Sequence, residues 1–180
     1  MTKKVLLIGT SPRKNGNSNQ ILKEFEKGAK EKGNETETIY LNDKTINFCK
    51  GCLACQKTKK CIIKDDVSEI LEKMKISDVI VFATPIYYYE MSGQMKTLID
   101  RTNPLFADEY NFRDIYLIMT AADSGNYSGD GCTKGLQGWT DCFDKTQIKG
   151  IIKGFGLEKP DDILKNKEIL KEAYEAGKNV

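Results

Sequence analysis

The chain has 180 residues, with 28 lysines and arginines against 26 aspartates and glutamates, a net charge of +2, six cysteines and no histidine. That length fits one domain that buries a core without staples, and lysines dispersed among acids argue against a nucleic-acid surface. The lack of histidine excludes Ser-His and Cys-His nucleophiles, Rieske and proximal-histidine haem ligation and the two-histidine iron site, so the chemistry is expected to belong to a cofactor.

Taken in order, Lys3 to Gly9 reads as a continuous apolar strand, followed by a polar loop from Thr10 to Asn17 and a helix from about Ser18 to Lys32, with Ser18 as its N-cap. Thr36 to Leu41 alternates as a second strand. The cysteine-rich stretch at about 46–64 follows, then a helix at about Asp65 to Lys75, opened by an acidic pair suited to a helix N-terminus. Asp78 to Thr84 is a buried strand, Pro85 to Glu90 a loop, and Ser92 to Arg101 a helix. Asn103 to Arg113 reads as a long loop, Ile115 to Thr120 as the fourth strand, Cys132 to Lys145 as a helix, Ile148 to Ile152 as the fifth strand and Asp161 to Gly177 as a closing helix.

Such alternation calls for an α/β doubly wound sandwich, a five-stranded parallel sheet covered on both faces, and no repeat or linker divides 1–180 into further domains. In the strand order 2-1-3-4-5, ligands bind at the carboxyl ends of the first and third strands. The first of those loops, Thr10-Ser11-Pro12-Arg13-Lys14-Asn15-Gly16-Asn17-Ser18, runs into a helix N-terminus, where N–H groups and the dipole favour an anion. It lacks the Lys-Ser/Thr of a P-loop and the glycine spacing of a dinucleotide site, so a phosphate monoester fits better than either. Arg13, one of three arginines, supplies a planar fork for it. The plainer reading is a polar turn with a capping serine. The second loop, Pro85-Ile86-Tyr87-Tyr88-Tyr89-Glu90, offers flat aromatic faces to a ring system; three tyrosines elsewhere would read as packing, but these stand at the switch point.

These two segments, TSPRKNGNSNQIL and ATPIYYYEMSGQMKTLIDRT, resemble the NAD(P)H-dependent FMN reductases of the flavodoxin-like superfamily over the chain to about Ile152. The resemblance implies a flavodoxin-like fold in which Ser11, Arg13, Asn15, Asn17 and Ser18 hold the FMN phosphate. Pro85, Ile86, Tyr87 and Tyr88 then border the flavin ring, and Ala121-Ala122-Asp123-Ser124 completes the pocket. It also implies NAD(P)H as an electron donor. Many relatives carry Trp or Phe and then glycines where Tyr88-Tyr89-Glu90 stands, which restricts what can reach the ring face.

Cys49, Cys52, Cys55 and Cys61 follow the spacing C-x2-C-x2-C-x5-C, which points to metal or redox chemistry in a cytoplasmic chain. The run is similar to that of the iron-sulfur flavoproteins, a branch of the same superfamily that pairs FMN with a [4Fe-4S] cluster and forms homodimers or homotetramers. Three closely spaced thiolates can wrap one side of a cubane and the fourth close it, whereas structural zinc favours two separated C-x2-C pairs. The alternative is an ordered loop with unliganded thiols or labile disulfides. Three functions stay open on this reading. One is an FMN oxidoreductase exchanging electrons with a cluster and a ferredoxin-type carrier. The second is a plain NAD(P)H-dependent flavin, quinone or azo reductase, and the third a non-enzymatic carrier or thiol sensor. The flavin carries the chemistry, so no catalytic side chain is expected. Cys132, Cys142 and Trp139 read as ordinary helix and core residues, and the family resemblance implies a structural rather than catalytic task for Asp100 and Arg101. No 18-residue apolar run or signal-like N-terminus occurs, so no membrane partner is expected.

Overall fold

Consecutive residues of a strand point to opposite faces, so an unbroken apolar run such as Val5-Leu6-Leu7-Ile8 has to be covered twice. In the computed structural model, which describes residues 2–180, it is. Strand β1 (Lys4–Gly9) lies between β2 (Glu35–Tyr40) and β3 (Val79–Tyr87), with β5 (Asp114–Thr120) and β6 (Gln147–Gly154) beyond β3, all parallel, in the order β2-β1-β3-β5-β6. Leu6, Ile8, Ile80, Phe82, Ile115 and Leu117 meet α3 (Val67–Ile76), α4 (Gly93–Asp100) and α6 (Asp130–Thr140) on one face. Val5, Leu7, Val81 and Ile118 meet α1 (Asn17–Glu31) and α7 (Lys167–Lys178) on the other. The result is the three-layer flavodoxin-like sandwich.

The expected order 2-1-3-4-5 therefore holds for the five parallel strands. The addition is β4 (Glu90–Met91), which folds back antiparallel on the end of β3, pairing Ile86 with Met91 and Tyr87 with Glu90. Helices α1 and α7 touch through their backbones: a Cβ on Gly28 would lie 2.0 Å from the Tyr174 carbonyl oxygen, and one on Gly177 2.0 Å from that of Phe25. Only glycine permits that crossing.

Several boundaries differ from those read in the sequence. Helix α1 begins one residue early, capped by the backbone of Gly16, so Ser18 sits inside the first turn and is no N-cap. The stretch Asn103 to Arg113 contains a single helical turn, α5 (Asn103–Phe106), started by Pro104, whose fixed φ suits a first turn. The helix expected over Cys132 to Lys145 runs over Asp130–Thr140. The closing helix is two pieces: a 3-10 turn at Asp162–Lys165, then α7, capped by Asn166, whose side chain accepts the Ile169 N–H at 3.2 Å. In the cysteine segment the one helical element is α2 (Ala54–Thr58), flanked by left-handed Leu53 and Lys59 at φ 56° and 57°. No helix among the described residues is long and apolar enough to cross a membrane.

Candidate functional site

The loop after β1 is stitched to itself. The Ser11 hydroxyl oxygen accepts the Arg13 N–H at 3.1 Å, the Gly16 N–H donates to the Arg13 carbonyl at 3.0 Å, and the buried Asn19 amide donates to the carbonyls of Arg13 and Lys14 at 3.2 Å each. A Cβ on Gly16 would stand 2.5 Å from the Ser11 oxygen and displace it from the Arg13 N–H. The loop encloses, with neighbouring strand ends, a cleft of about 200 Å³. Ser11, Arg13, Gly16, Asn17 and Ser18 form one wall and Pro85, Ile86 and Tyr87 another, with Ala121 and Ala122 between β5 and the rest.

Ser18 is 1% exposed, and its hydroxyl has no hydrogen-bond partner among the described residues. It lies at the positive end of the fifteen-residue α1, whose first turn holds no acid. A buried polar group is normally satisfied, and an anion at a helix N-terminus is what this one lacks. The residues fit a phosphate. Asn15 and Asn17 are placed differently from the expectation. Asn15 is exposed and outside the cleft wall. Asn17 lines the cleft, but its amide donates to the Lys159 carbonyl at 2.9 Å and accepts from the Ile163 N–H at 3.3 Å, tethering the chain after β6. That tether brings Leu157 and Glu158 into the cleft wall. Sequence spacing gave no sign of either residue, and Asn19 was hidden among ordinary helix residues.

The second loop is a two-residue hairpin turn. Tyr88 and Tyr89 both have positive φ, 50° and 66°, a pairing that Asn-Gly or Gly-Gly normally supplies. This backbone turns Tyr88 outward, 98% exposed and away from the cleft wall, contrary to its expected place at the ring. Tyr89 turns toward Tyr127, stacking at 5.9 Å between ring centroids, and its hydroxyl donates to Asp123 at 3.4 Å. The Gly125 N–H, then the hydroxyls around it, hold the Asp123 carboxyl below the usual carboxylate range. Behind the turn, the buried Ser92 caps α4. It shares a 3.0 Å hydrogen bond with the Thr10 hydroxyl, and its N–H donates to Thr84 at 3.0 Å. Helix α4 thus starts from the floor between the two loops.

Cys49 and Cys52 are exposed, Cys61 is half-buried and Cys55 is buried, all as thiols. Burial, and after it the thiols of Cys61, Cys52 and Cys49, push the Cys55 thiol up, so the other three sulfurs lie within its electrostatic reach. The Gly51 N–H points at the Cys49 sulfur at 3.5 Å. Among the described residues no three His, Cys, Asp or Glu side chains close on a single ion. A cubane, whose irons stand apart at the corners, spreads its thiolates more widely than one ion does. Four thiols in one segment are the donor set such a cluster takes. Cys132, fully buried and with its thiol pushed up to about 12 by burial and then by Glu90, is inert. The Cys142 sulfur contacts the Gly138 carbonyl at 3.3 Å, and the Trp139 ring nitrogen donates to Thr102 at 2.8 Å.

The segment is held at its ends. The Thr45 N–H donates to Asp66 at 2.6 Å, and the Asp66 N–H returns a bond to the Thr45 carbonyl at 3.2 Å. Asp65 accepts from the Asn47 backbone and side-chain amides at 2.9 and 3.1 Å and forms a two-pronged pair with Arg101 at 2.8 and 3.0 Å. Burial alone would raise the Asp65 carboxyl, but the Arg101 fork and then the Asn47 donors outweigh it and lower it to about 2. Beside the segment, a groove of about 760 Å³ between α2, α3 and α5 has Cys61 in its wall and Lys59, Lys60 and Lys75 at its rim.

Residues 3–150 match the family model described as NADPH-dependent FMN reductase. An iron-sulfur flavoprotein of Methanosarcina thermophila is 39% identical over 149 residues, 83% of this chain and 75% of that protein. One of Methanocaldococcus jannaschii is 46% identical over 102 residues, 57% of this chain; the match spans about half, 53%, of that relative's length. Among solved structures, an NAD(P)H:quinone oxidoreductase from Methanothermobacter marburgensis superposes with a TM-score of 0.76 over 99% of this chain and 97% of that one, at 17% identity, a likeness of fold.

Proposed function

The chain belongs to the NADPH-dependent FMN reductase family and to its iron-sulfur flavoprotein branch, and from that membership we propose an FMN-binding oxidoreductase whose cysteine segment holds a [4Fe-4S] cluster. When bound, FMN supplies two-electron redox chemistry and the cluster single-electron exchange. The chain supplies place and charge. Ser11, Ser18, Arg13 and the amides opening α1 receive the phosphate; Pro85, Ile86, Tyr87 and Ala122 border the ring. The cleft of about 200 Å³ is smaller than the roughly 300–1,000 Å³ usual for a ligand of this size, so the phosphate end is enclosed and the ring lies at the open mouth. Cys49, Cys52, Cys55 and Cys61 are the cluster's ligands.

One observation carries the reading: α4 runs from the anion-ready cleft to the cysteine segment. Ser92 ties its start to Thr10 and Thr84, and Arg101, just past its end, ties it to the cysteine segment. Those eight residues of helix span about 12 Å. No proton-transferring side chain is required.

Between Lys44 and Asp65 there is no acid, and Lys50, Lys57, Lys59, Lys60 and Lys64 are exposed around the thiols. That collar suits an acidic single-electron carrier of the ferredoxin type, with NAD(P)H as donor at the flavin. Phe48, Leu53, Ile62 and Tyr88 are exposed near this edge, which supports a homodimer or homotetramer that covers them. A cytoplasmic location, where clustered thiols stay reduced, fits the cysteine segment. An ultraviolet-visible spectrum of anoxically purified protein tests the proposal: flavin bands on a broad iron-sulfur shoulder support it, and flavin bands alone leave the reductase without a cluster. Rapid bleaching of the flavin bands by NADPH or NADH supports the nicotinamide donor.

A further inference from the structure

The bulkiest side chain buried beyond 98% is a cation, Arg101. Interiors hold such a charge only when it is paired and its donors are used. Asp65 accounts for the charge. The remaining contacts converge on one place: the guanidinium donates to the Asn47 carbonyl at 2.6 Å, before the first cysteine, and to that of Ile63 at 3.5 Å, after the last. Its Nε–H is buried with no partner among the described residues. The guanidinium thus reaches within two residues of Cys61 on one side and of Cys49 on the other, and this places the cation beside the thiol segment.

We propose that Arg101 is the positioning residue of the cysteine segment. It closes the residues between Asn47 and Ile63 into a loop and holds a full positive charge against the Cys61 side of the thiolate set, raising the reduction potential of the centre bound there. The potential follows from charge: reduction adds one electron to a thiolate-bound centre, and a buried cation beside it stabilises the more negative form. The loop closure follows from geometry, since one planar fork reaches both sides of the segment and an ammonium cannot. The charge half rests on the cluster reading; the loop half does not.

Arg101→Gln, Arg101→Lys and Asp65→Asn, purified anoxically with FMN, separate the two. Potentiometric titration of the cluster signal should give a lower midpoint for R101Q, a higher one for D65N, whose cation is no longer compensated, and one near the parent for R101K. Loss of the clamp alone shifts R101Q and D65N the same way, since both break the ion pair, so midpoints that move together or not at all overturn the charge half. Hydrogen exchange over 48–64, measured on iron-free, FMN-bound protein, should be at least about tenfold faster in both Arg101 variants; unchanged exchange overturns the loop half. A parent protein that binds FMN but no iron overturns the cluster reading and the charge half with it, and the exchange experiment still decides the loop. R101K retains the buried charge and serves where R101Q does not fold.

Discussion

The loop after β1 and the segment after β2 leave the same edge of the sheet and are held in opposite ways. In the first, Ser11, Gly16 and Asn19 bond to their own loop, a glycine occupies the position where a Cβ would collide, and the Ser18 hydroxyl and Asn19 side-chain oxygen are buried without partners among the described residues. In the second, hydrogen bonds concentrate at the ends, while Phe48, Leu53 and Ile62 lie more than half exposed between them. A phosphate site can be built in advance because backbone amides and a helix terminus supply it at no cost in charge. Four thiolates cannot, because they repel one another until metal neutralises them, so their order comes from the clamp beneath and from what they bind.

That contrast is open to breaking. Arg101→Met strands Asp65 in the interior and should cost about 3–5 kcal/mol by denaturant titration. Its effect on FMN affinity should be small, and a parallel loss of FMN would show that the two regions are one unit. Acid tests the same pair more gently. The Asp65 carboxyl falls from 3.8 to about 2 on folding, which corresponds to about 2 kcal/mol. A carboxylate depressed in the folded state stabilises above its unfolded value, so this contribution is present above about pH 4 and is lost as pH falls toward 2. Stability measured from pH 5 to 2 should lose it in the parent and not in Asp65→Asn.

Asn19→Ala removes two hydrogen bonds from the first loop and should weaken FMN binding by about 1–2 kcal/mol in calorimetry, with no change in the cysteine segment. The smallest effect is a gain. Tyr88→Gly relieves a left-handed tyrosine and should raise thermal stability by about 1 kcal/mol while leaving FMN bound, since Tyr88 lies outside the cleft.

The difference between the regions also explains what was legible in the sequence. The parallel strands were, because Val5 to Ile8 and Val79 to Ala83 are apolar on both faces. The polar turn between β1 and α1 was, because local chemistry builds it from nearly consecutive residues. The tether made by Asn17 was not legible, because its partners Lys159 and Ile163 are more than 140 residues away, and Leu157 and Glu158 reach the cleft through that same tether. The hairpin at Tyr88 was missed because its residues are among the least suited to positive φ, where Asn-Gly would have announced the turn. Arg101 read as structural, and it is, but what it structures became visible only when Asp65 and Asn47 were brought to it from other elements.

Quantifying FMN, iron and acid-labile sulfide in one anoxically purified sample tests most directly whether the two regions are two redox centres. About one FMN with about four irons and four sulfides per chain is the expected result. A full complement of FMN with no iron, in protein that has never met oxygen, would contradict it.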